Sequence, residues 1–218
     1  ALMPLNSITK NGLILTGFAL VTTGLIAITF DGTKQRIDEQ RAKKKLATLN
    51  EVIPPALYDN QLYLDCITID ASALGDEPKS IYRARQNGND AALAVEFTAP
   101  DGYSGDIDLI AGVAVNGEVL GVRVLSHQET PGLGDKIEMS VSDWMLSFNG
   151  KSYDEDQAKR WQVKKDGGQF DQFTGATITP RAVVGSVART LAYVEANQHQ
   201  LFNTPSNCRA AAPTGGQH

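Results

Sequence analysis

From Gly12 to Phe30 the chain reads GLILTGFALVTTGLIAITF, 19 residues without a charge, with Lys10 and Asp31 as the nearest charges on either side. A helix of that length, at about 1.5 Å rise per residue, just crosses the ~30 Å hydrocarbon layer of a bilayer. A core helix is out of place here, because it would rarely be apolar on all sides so near a terminus. A cleaved signal peptide would show a shorter apolar region and a small-x-small cleavage site before Asp31, and none is evident. The sequence therefore reads as a short segment at residues 1–11, a retained single-span anchor at residues 12–30 and a tethered domain. Charge points the domain inward: Lys10 stands alone before the span, while Lys34, Arg36, Arg41, Lys43, Lys44 and Lys45 follow it. By the positive-inside rule that distribution keeps the domain in the cytoplasm.

Residues 31–55 are rich in strong helix formers and end at Pro54-Pro55, which reads as a charged, membrane-proximal helix. Its Lys43 to Lys45 run reads as a solvated or lipid-headgroup-facing surface. A folded domain follows at residues 56–202, then a Pro/Ala/Gly-rich flexible tail at residues 203–218. The formal net charge of -5 gives no basic face, which excludes nucleic acid as a partner. The two cysteines, Cys66 and Cys208, are too few for a thiolate-rich zinc or iron–sulfur site. They suit either one disulfide in an oxidising compartment or two buried thiols.

Within the domain, SIYRARQNGNDAALAVEFT places two strand-like runs around the turn signal Asn87-Gly88. DIDLIAGVAVNGEVLGVRVLSHQ repeats the pattern, with apolar runs at residues 107–115 and 119–125. Asn116-Gly117 between them suits a type I′ turn, since both residues tolerate positive φ. The reading is an antiparallel meander of about four strands. A short helix near residues 142–148 carries Trp144, and KRWQVKKDGGQFDQF suggests one more short strand with a Gly167-Gly168 turn. The last element, TPRAVVGSVARTLAYVEANQHQLF, has Val184, Val187, Leu191 and Val194 at helical spacing. Thr179 reads as its N-cap and Pro180 as its first helical residue. The fold class is α+β: an N-terminal transmembrane helix, then a small domain with an antiparallel sheet and packed helices.

Two stretches carry chemistry. In FDQFTGATITPRAVVG, Thr174, Thr177 and Thr179 crowd around Gly175 and Ala176 just before a helix. A helix N-terminus offers unpaired N–H groups and about half a positive charge, so it attracts phosphate. The small pair lets a bulky anion approach the backbone, and the threonines add hydroxyls. Taken alone, TGAT reads first as an ordinary capping turn. In HQETPGLGDK, Gly132 and Gly134 let a flat ligand approach the backbone, with Glu129 and Thr130 as polar contacts and Leu133 as an apolar one. Lys165 is either solvated or reaches a phosphate.

ETPGLGD followed about forty residues later by DQFTGATITPRAV resembles the covalent-FMN-binding domain family. That family occurs in the G subunit of the Rnf electron-transport complex and the C subunit of the sodium-translocating NADH:quinone reductase. The short length and single D-x-x-TGAT copy favour the former. The resemblance implies a D-x-x-[ST]-G-A-T motif, here Asp171, Thr174, Gly175, Ala176 and Thr177, read by a flavin transferase. The transferase would esterify the FMN phosphate to Thr177. The resemblance also implies an electron-transfer role in an ion-translocating inner-membrane complex, with the other Rnf subunits as partners. It places the flavin domain on the periplasmic side, against the charge count. The chain has no nicotinamide site, iron–sulfur ligands or intramembrane charges, so it needs partners to complete any activity. The FMN contacts implied are Glu129, Thr130, Gly132, Leu133, Gly134, Lys165, Thr174, Gly175, Ala176 and Thr179.

Other groupings weigh less. His127 beside Glu129 lacks companions for a metal site, since His199 and His218 lie in or near the tail. Ser126, His127 and Asp135 have triad residue types without a nucleophile elbow. Trp144 and Trp161 read as core or interface. A membrane-anchored assembly module without redox chemistry is the alternative function.

Overall fold

A computed structural model describes residues 3–208. They divide between Lys44 and Lys45 into two units, which are described separately. The N-terminal unit lies on helix α1 (Met3–Val52), and its stretch Thr9–Ala27 is long and apolar enough to cross a membrane. Leu13, Ile14, Leu15, Phe18, Leu20, Val21, Leu25 and Ile26 are all exposed, each by 60% or more, so the window has no protein cover. The Thr16 and Thr22 hydroxyls donate to the Gly12 and Phe18 carbonyls at 2.9 Å each, so neither needs water. Phe18→Lys with Val21→Lys should therefore drive the chain out of the alkali-washed membrane fraction, at about 2.5–3.5 kcal/mol per buried charge. Full retention of the double variant in the pellet would contradict a spanning helix.

The second unit is built on one sheet. Strands β1 (Cys66–Ile69), β2 (Lys79–Gln86), β3 (Asn89–Ala99), β4 (Ile107–Ala114) and β5 (Val119–Ser126) pair in sequence order, every neighbour antiparallel. The meander thus has five strands rather than about four. β1 escapes a sequence reading because it is a four-residue edge strand with no hairpin to announce it. Asn87 and Gly88 both take positive φ, +52° and +76°, as the primed turn requires. The second hairpin differs: Gly117 (φ +82°) is left-handed and Asn116 is not. The Gly117 N–H donates to the Ala114 carbonyl at 2.8 Å, and the register slips between Gly112 and Val113. This is the three-residue loop with a glycine bulge, which needs only one positive φ.

Alternation along the strands gives the sheet two unlike faces. Leu93, Val95 and Phe97 of β3, with Leu109, Ala111 and Val113 of β4, meet Val183, Val187, Leu191 and Val194 of helix α2 (Ile178–Asn203). The opposite face carries the small residues Ala84, Ala92 and Ala94 and receives Leu49, Val52 and Ile53 from the end of α1. A Cβ on Gly112 would lie 2.0 Å from the Val52 carbonyl oxygen, so the helix end rests directly on the strand backbone. Gly112→Ala should lower the melting temperature of the detergent-solubilised chain, at a cost of roughly 1–3 kcal/mol from overpacking. An unchanged melt would mean that the end of α1 does not dock there. Lys45 pairs with Glu96 above Tyr82. Burial alone pushes the Lys45 ammonium down, and Glu96 more than offsets it, leaving its pKa raised.

The expected strand after Trp161 is absent. Val163 and Phe170 make a single parallel bridge, and Lys164–Asp166 is a turn of 3-10 helix. The short helix near 142–148 is also 3-10, at Trp144–Phe148. At the far end of α2, buried Arg83 donates to the Leu201, Phe202 and Thr204 carbonyls, and Arg85 donates to Phe202 O at 2.8 Å. Both arginines are tied to Asp65. They satisfy the helix's last carbonyls with positive charge. Of the tail expected from residue 203, the first part is held. Ser206 Oγ donates to the Cys66 carbonyl at 2.7 Å, Asn207 bonds Thr68 through its side chain, and Cys66 and Cys208 form a disulfide with Cα atoms 5.6 Å apart. Residues 209–218 lie outside the described residues.

Candidate functional site

Three loops at one end of the sheet build a cleft. The first leaves β5. The Glu129 N–H donates to His127 Nδ1 at 3.0 Å, which puts the ring proton on Nε2, 2.7 Å from Glu138 Oε1. His127 thus serves to fix the loop's departure. The residues Thr130-Pro131-Gly132-Leu133 then form a type II turn: Leu133 N–H reaches Thr130 O at 3.1 Å, with Gly132 at φ +78°. Asp135 Oδ2 accepts the Gly132 N–H at 2.8 Å.

The second loop repeats that geometry. Phe173-Thr174-Gly175-Ala176 closes through Ala176 N–H to Phe173 O at 3.2 Å, with Gly175 at φ +81°. Gly175 is therefore required at the third turn position, where an L side chain is strained. Phe173 anchors the turn in an aromatic pile, with its ring 5.1 Å from Trp144, whose Nε1 donates to Asp171 O at 2.8 Å. Trp161 lies deeper in the same pile, so both tryptophans are structural.

Helix α2 begins right after this turn, two residues earlier than its sequence suggests. Thr177 is the N-cap residue, and its hydroxyl makes no capping bond. Thr179, expected as the cap, lies inside the first turn, is buried, and donates its hydroxyl to Glu129 instead. Burying a hydroxyl demands a partner, and Glu129 supplies a better one than the helix's own N–H groups. The third loop follows β3 and presents Tyr103 and Ser104, whose N–H groups also donate to Glu129, at 3.3 and 2.9 Å.

The cleft between these loops is about 250 Å³. Glu129, Thr130, Leu133 and Gly134 line one wall, Gly175, Ala176, Thr177 and Thr179 the other, with Tyr103 and Ile178 at the rim. Seven of the ten expected contacts, and the expected attachment residue Thr177, are thus brought together from two motifs. Gly132 and Thr174 sit on the outer sides of their turns and do not line the cleft. Lys165 is exposed and bonded through its backbone to Gln172, and Asp171 is exposed and paired with Lys164 at 2.6 Å. Arg181, in the first turns of α2, grips Asp166 through two bonds of 2.6 Å. Those bonds hold the Asp166 carboxyl below the usual carboxylate range. A phosphate at Thr177 would accordingly rely on the helix end rather than on Arg181 or Lys164. Tyr103 and Ile178 were not anticipated. With Leu133 they are large apolar residues left 67, 47 and 42% exposed around one opening. The signal available was an aromatic between glycines in DGYSG, and an isoleucine interrupting a run of threonines.

An open cleft smaller than the ~300–1,000 Å³ of enclosing pockets holds part of a larger ligand and leaves the rest in solvent. A helix N-terminus, an uncapped hydroxyl and an apolar rim suit a phosphate joined to an apolar group, in a protein whose first helix is long and apolar enough to cross a membrane. Residues 102–192 match the FMN-binding domain model, and residues 3–52 match the RnfG N-terminal region. The G subunit of the ion-translocating oxidoreductase complex of Pseudoalteromonas atlantica is 50% identical over 96% of this chain and 98% of its own. The Vibrio cholerae (strain O395) protein of that name is 53% identical over 94 and 98%, and the Shewanella loihica one 55% over 93 and 96%. The chain belongs to the family of these G subunits.

Proposed function

We propose that this chain is the electron-transfer flavoprotein subunit of an ion-translocating oxidoreductase complex, with FMN esterified through its phosphate to Thr177 Oγ. The observation that carries the reading is the meeting of ETPGLG and TGAT at one cleft where Thr177 is half-buried, uncapped and first in line at a helix N-terminus. Bound FMN supplies reversible one- and two-electron redox chemistry.

The residues of the chain do the rest. The N-terminus of α2 offsets phosphate charge. Tyr103, Leu133 and Ile178 offer the ring an apolar surface, and the open rim leaves an edge accessible to a redox partner. A phosphoester leaves the ring unmodified, so these contacts set its potential. In the attachment step Thr177 Oγ loses its proton and forms the new O–P bond. The phosphoanhydride bond of a flavin adenine dinucleotide would break, leaving FMN on Thr177 while AMP departs and the hydroxyl proton passes to solvent. A flavin transferase performs this step on the exposed turn that carries Asp171 and Thr174.

Thr9–Ala27 anchors the chain in lipid, as a single span. The Cys66–Cys208 disulfide favours an oxidising compartment and hence the periplasmic face of a bacterial inner membrane, over the contrary lysine and arginine count. The remaining Rnf subunits supply and remove electrons and carry the translocase function.

Intact mass of the denatured chain, produced with a flavin transferase, tests the reading. One FMN minus one water is the expected gain, localised by peptide fragmentation to Thr177. An unmodified mass, under conditions that label an established acceptor, sinks it.

A further inference from the structure

Glu129 joins all three loops, and its carboxylate is directed inward. Only 4% of the residue is exposed. Oε1 accepts the Ser104 N–H at 2.9 Å, and Oε2 accepts the Tyr103 N–H at 3.3 Å together with the Thr179 hydroxyl. The space it occupies is reserved by two glycines. A Cβ on Gly134 would fall 2.8 Å from Oε2 and 2.9 Å from Thr179 Oγ1, and one on Gly102 would fall 3.0 Å from Oε1. A buried carboxylate is costly unless hydrogen-bonded, and here every partner belongs to a different segment from its own. Loosening one segment therefore leaves charge and N–H groups unpaired in the others.

We propose that Glu129 is a positioning residue: it holds the Tyr103 loop, its own loop and the first turn of α2 in register, and so sets the environment of the flavin ring without itself forming the tether. The inference rests on the reading of FMN at Thr177. A phosphoester fixes only the phosphate end, so the ring sits in a defined environment only while the cleft walls hold their spacing. Attachment depends on Thr177, and docking of the ring depends on Glu129.

The test uses the full chain in detergent, made with the flavin transferase, as parent, Glu129→Ala, Glu129→Gln, Thr179→Val and the Glu129→Ala/Thr179→Val double variant. Covalent labelling is read on denaturing gels. Flavin fluorescence yield and visible circular dichroism are then read on native samples well below each melting temperature. The ring signals are normalised to the covalent flavin that each variant carries on the gel. Fluorescence should rise several-fold with loss of visible dichroism in Glu129→Ala, and by a smaller factor in Thr179→Val. Glu129→Gln keeps the shape and one acceptor oxygen but turns its NH2 towards a backbone N–H, so it should fall between the parent and Glu129→Ala. The double variant should be no worse than Glu129→Ala alone, because both changes break one unit.

A Glu129→Ala chain that melts lower but keeps the parent's fluorescence and dichroism overturns the proposal, since it shows a role in stability alone. If Glu129→Ala does not fold, Thr179→Val decides: parent-like ring signals overturn the proposal, and raised fluorescence upholds it. A dark parent sinks the flavin reading, and the inference with it.

Discussion

Thr177→Ala should carry no covalent flavin at all, while Thr174→Ser, which keeps the motif hydroxyl, remains labelled and both chains melt close to the parent. The contrast follows from the three hydroxyls' surroundings. Thr174 sits exposed at the apex of its turn and does not line the cleft. Thr179 is 1% exposed and commits its hydroxyl to Glu129. Thr177 alone combines partial exposure, a place in the cleft and a hydroxyl with no capping bond. Replacing an N-cap threonine by alanine ordinarily costs about 0.5–2 kcal/mol. With no cap bond to lose, Thr177→Ala should fall at or below the lower end. An in-gel flavin fluorescence assay and a thermal melt separate the two readings of TGAT. Loss of flavin with an unchanged melt marks an attachment site, whereas a lower melt in a chain that was never fluorescent marks a plain cap. Fluorescence persisting in Thr177→Ala would move the attachment to another hydroxyl.

The second large effect concerns the disulfide. Cys66 and Cys208 are 142 residues apart in sequence, so the bridge restrains nearly the whole folded domain in its unfolded state. For a loop of that order the chain-entropy estimate is about 4–5 kcal/mol, an upper figure because unfolded chains keep some structure. Cys66→Ser with Cys208→Ser should lower the melting temperature by roughly 10–15 °C at 2–4 °C per kcal/mol. Reductant should bring the parent to the same value. The arginine caps on α2 survive the change, so the double variant should still fold. A melt unmoved by reductant would show that the two thiols are not paired, and would remove the support the bridge gives to a periplasmic domain.

Much of this could be read from residue order alone. The uncharged run before Asp31 demands an apolar environment whatever the domain does. Asn87-Gly88 dictates a primed turn, and the valines and leucine of α2 mark its buried face, because these signals are local and depend on periods of two or 3.6 residues. ETPGLG and TGAT each carry their turn chemistry within four residues, with Pro131 and Gly132 in one and Gly175 in the other. What was not legible depended on contacts between distant segments. β1 exists only because β2 offers it an edge. Asn116 stays out of the left-handed region because the hairpin closes as a three-residue loop, in which one glycine at positive φ is enough. Whether the two cysteines pair was open until α2, held by Arg83 and Arg85, carried Cys208 back to β1.

The division is sharpest at the threonines. The sequence by itself placed small residues and hydroxyls at a helix entrance and a run long and apolar enough to cross a membrane near the N-terminus, because composition and spacing alone decide both. Only the tertiary structure decided which hydroxyl is available. Glu129, fifty residues earlier in the chain, takes Thr179 into the interior, so the helix starts at Ile178 and Thr177 is left at its mouth. A buried carboxylate claims its partners through space, and no local pattern in the sequence records that claim.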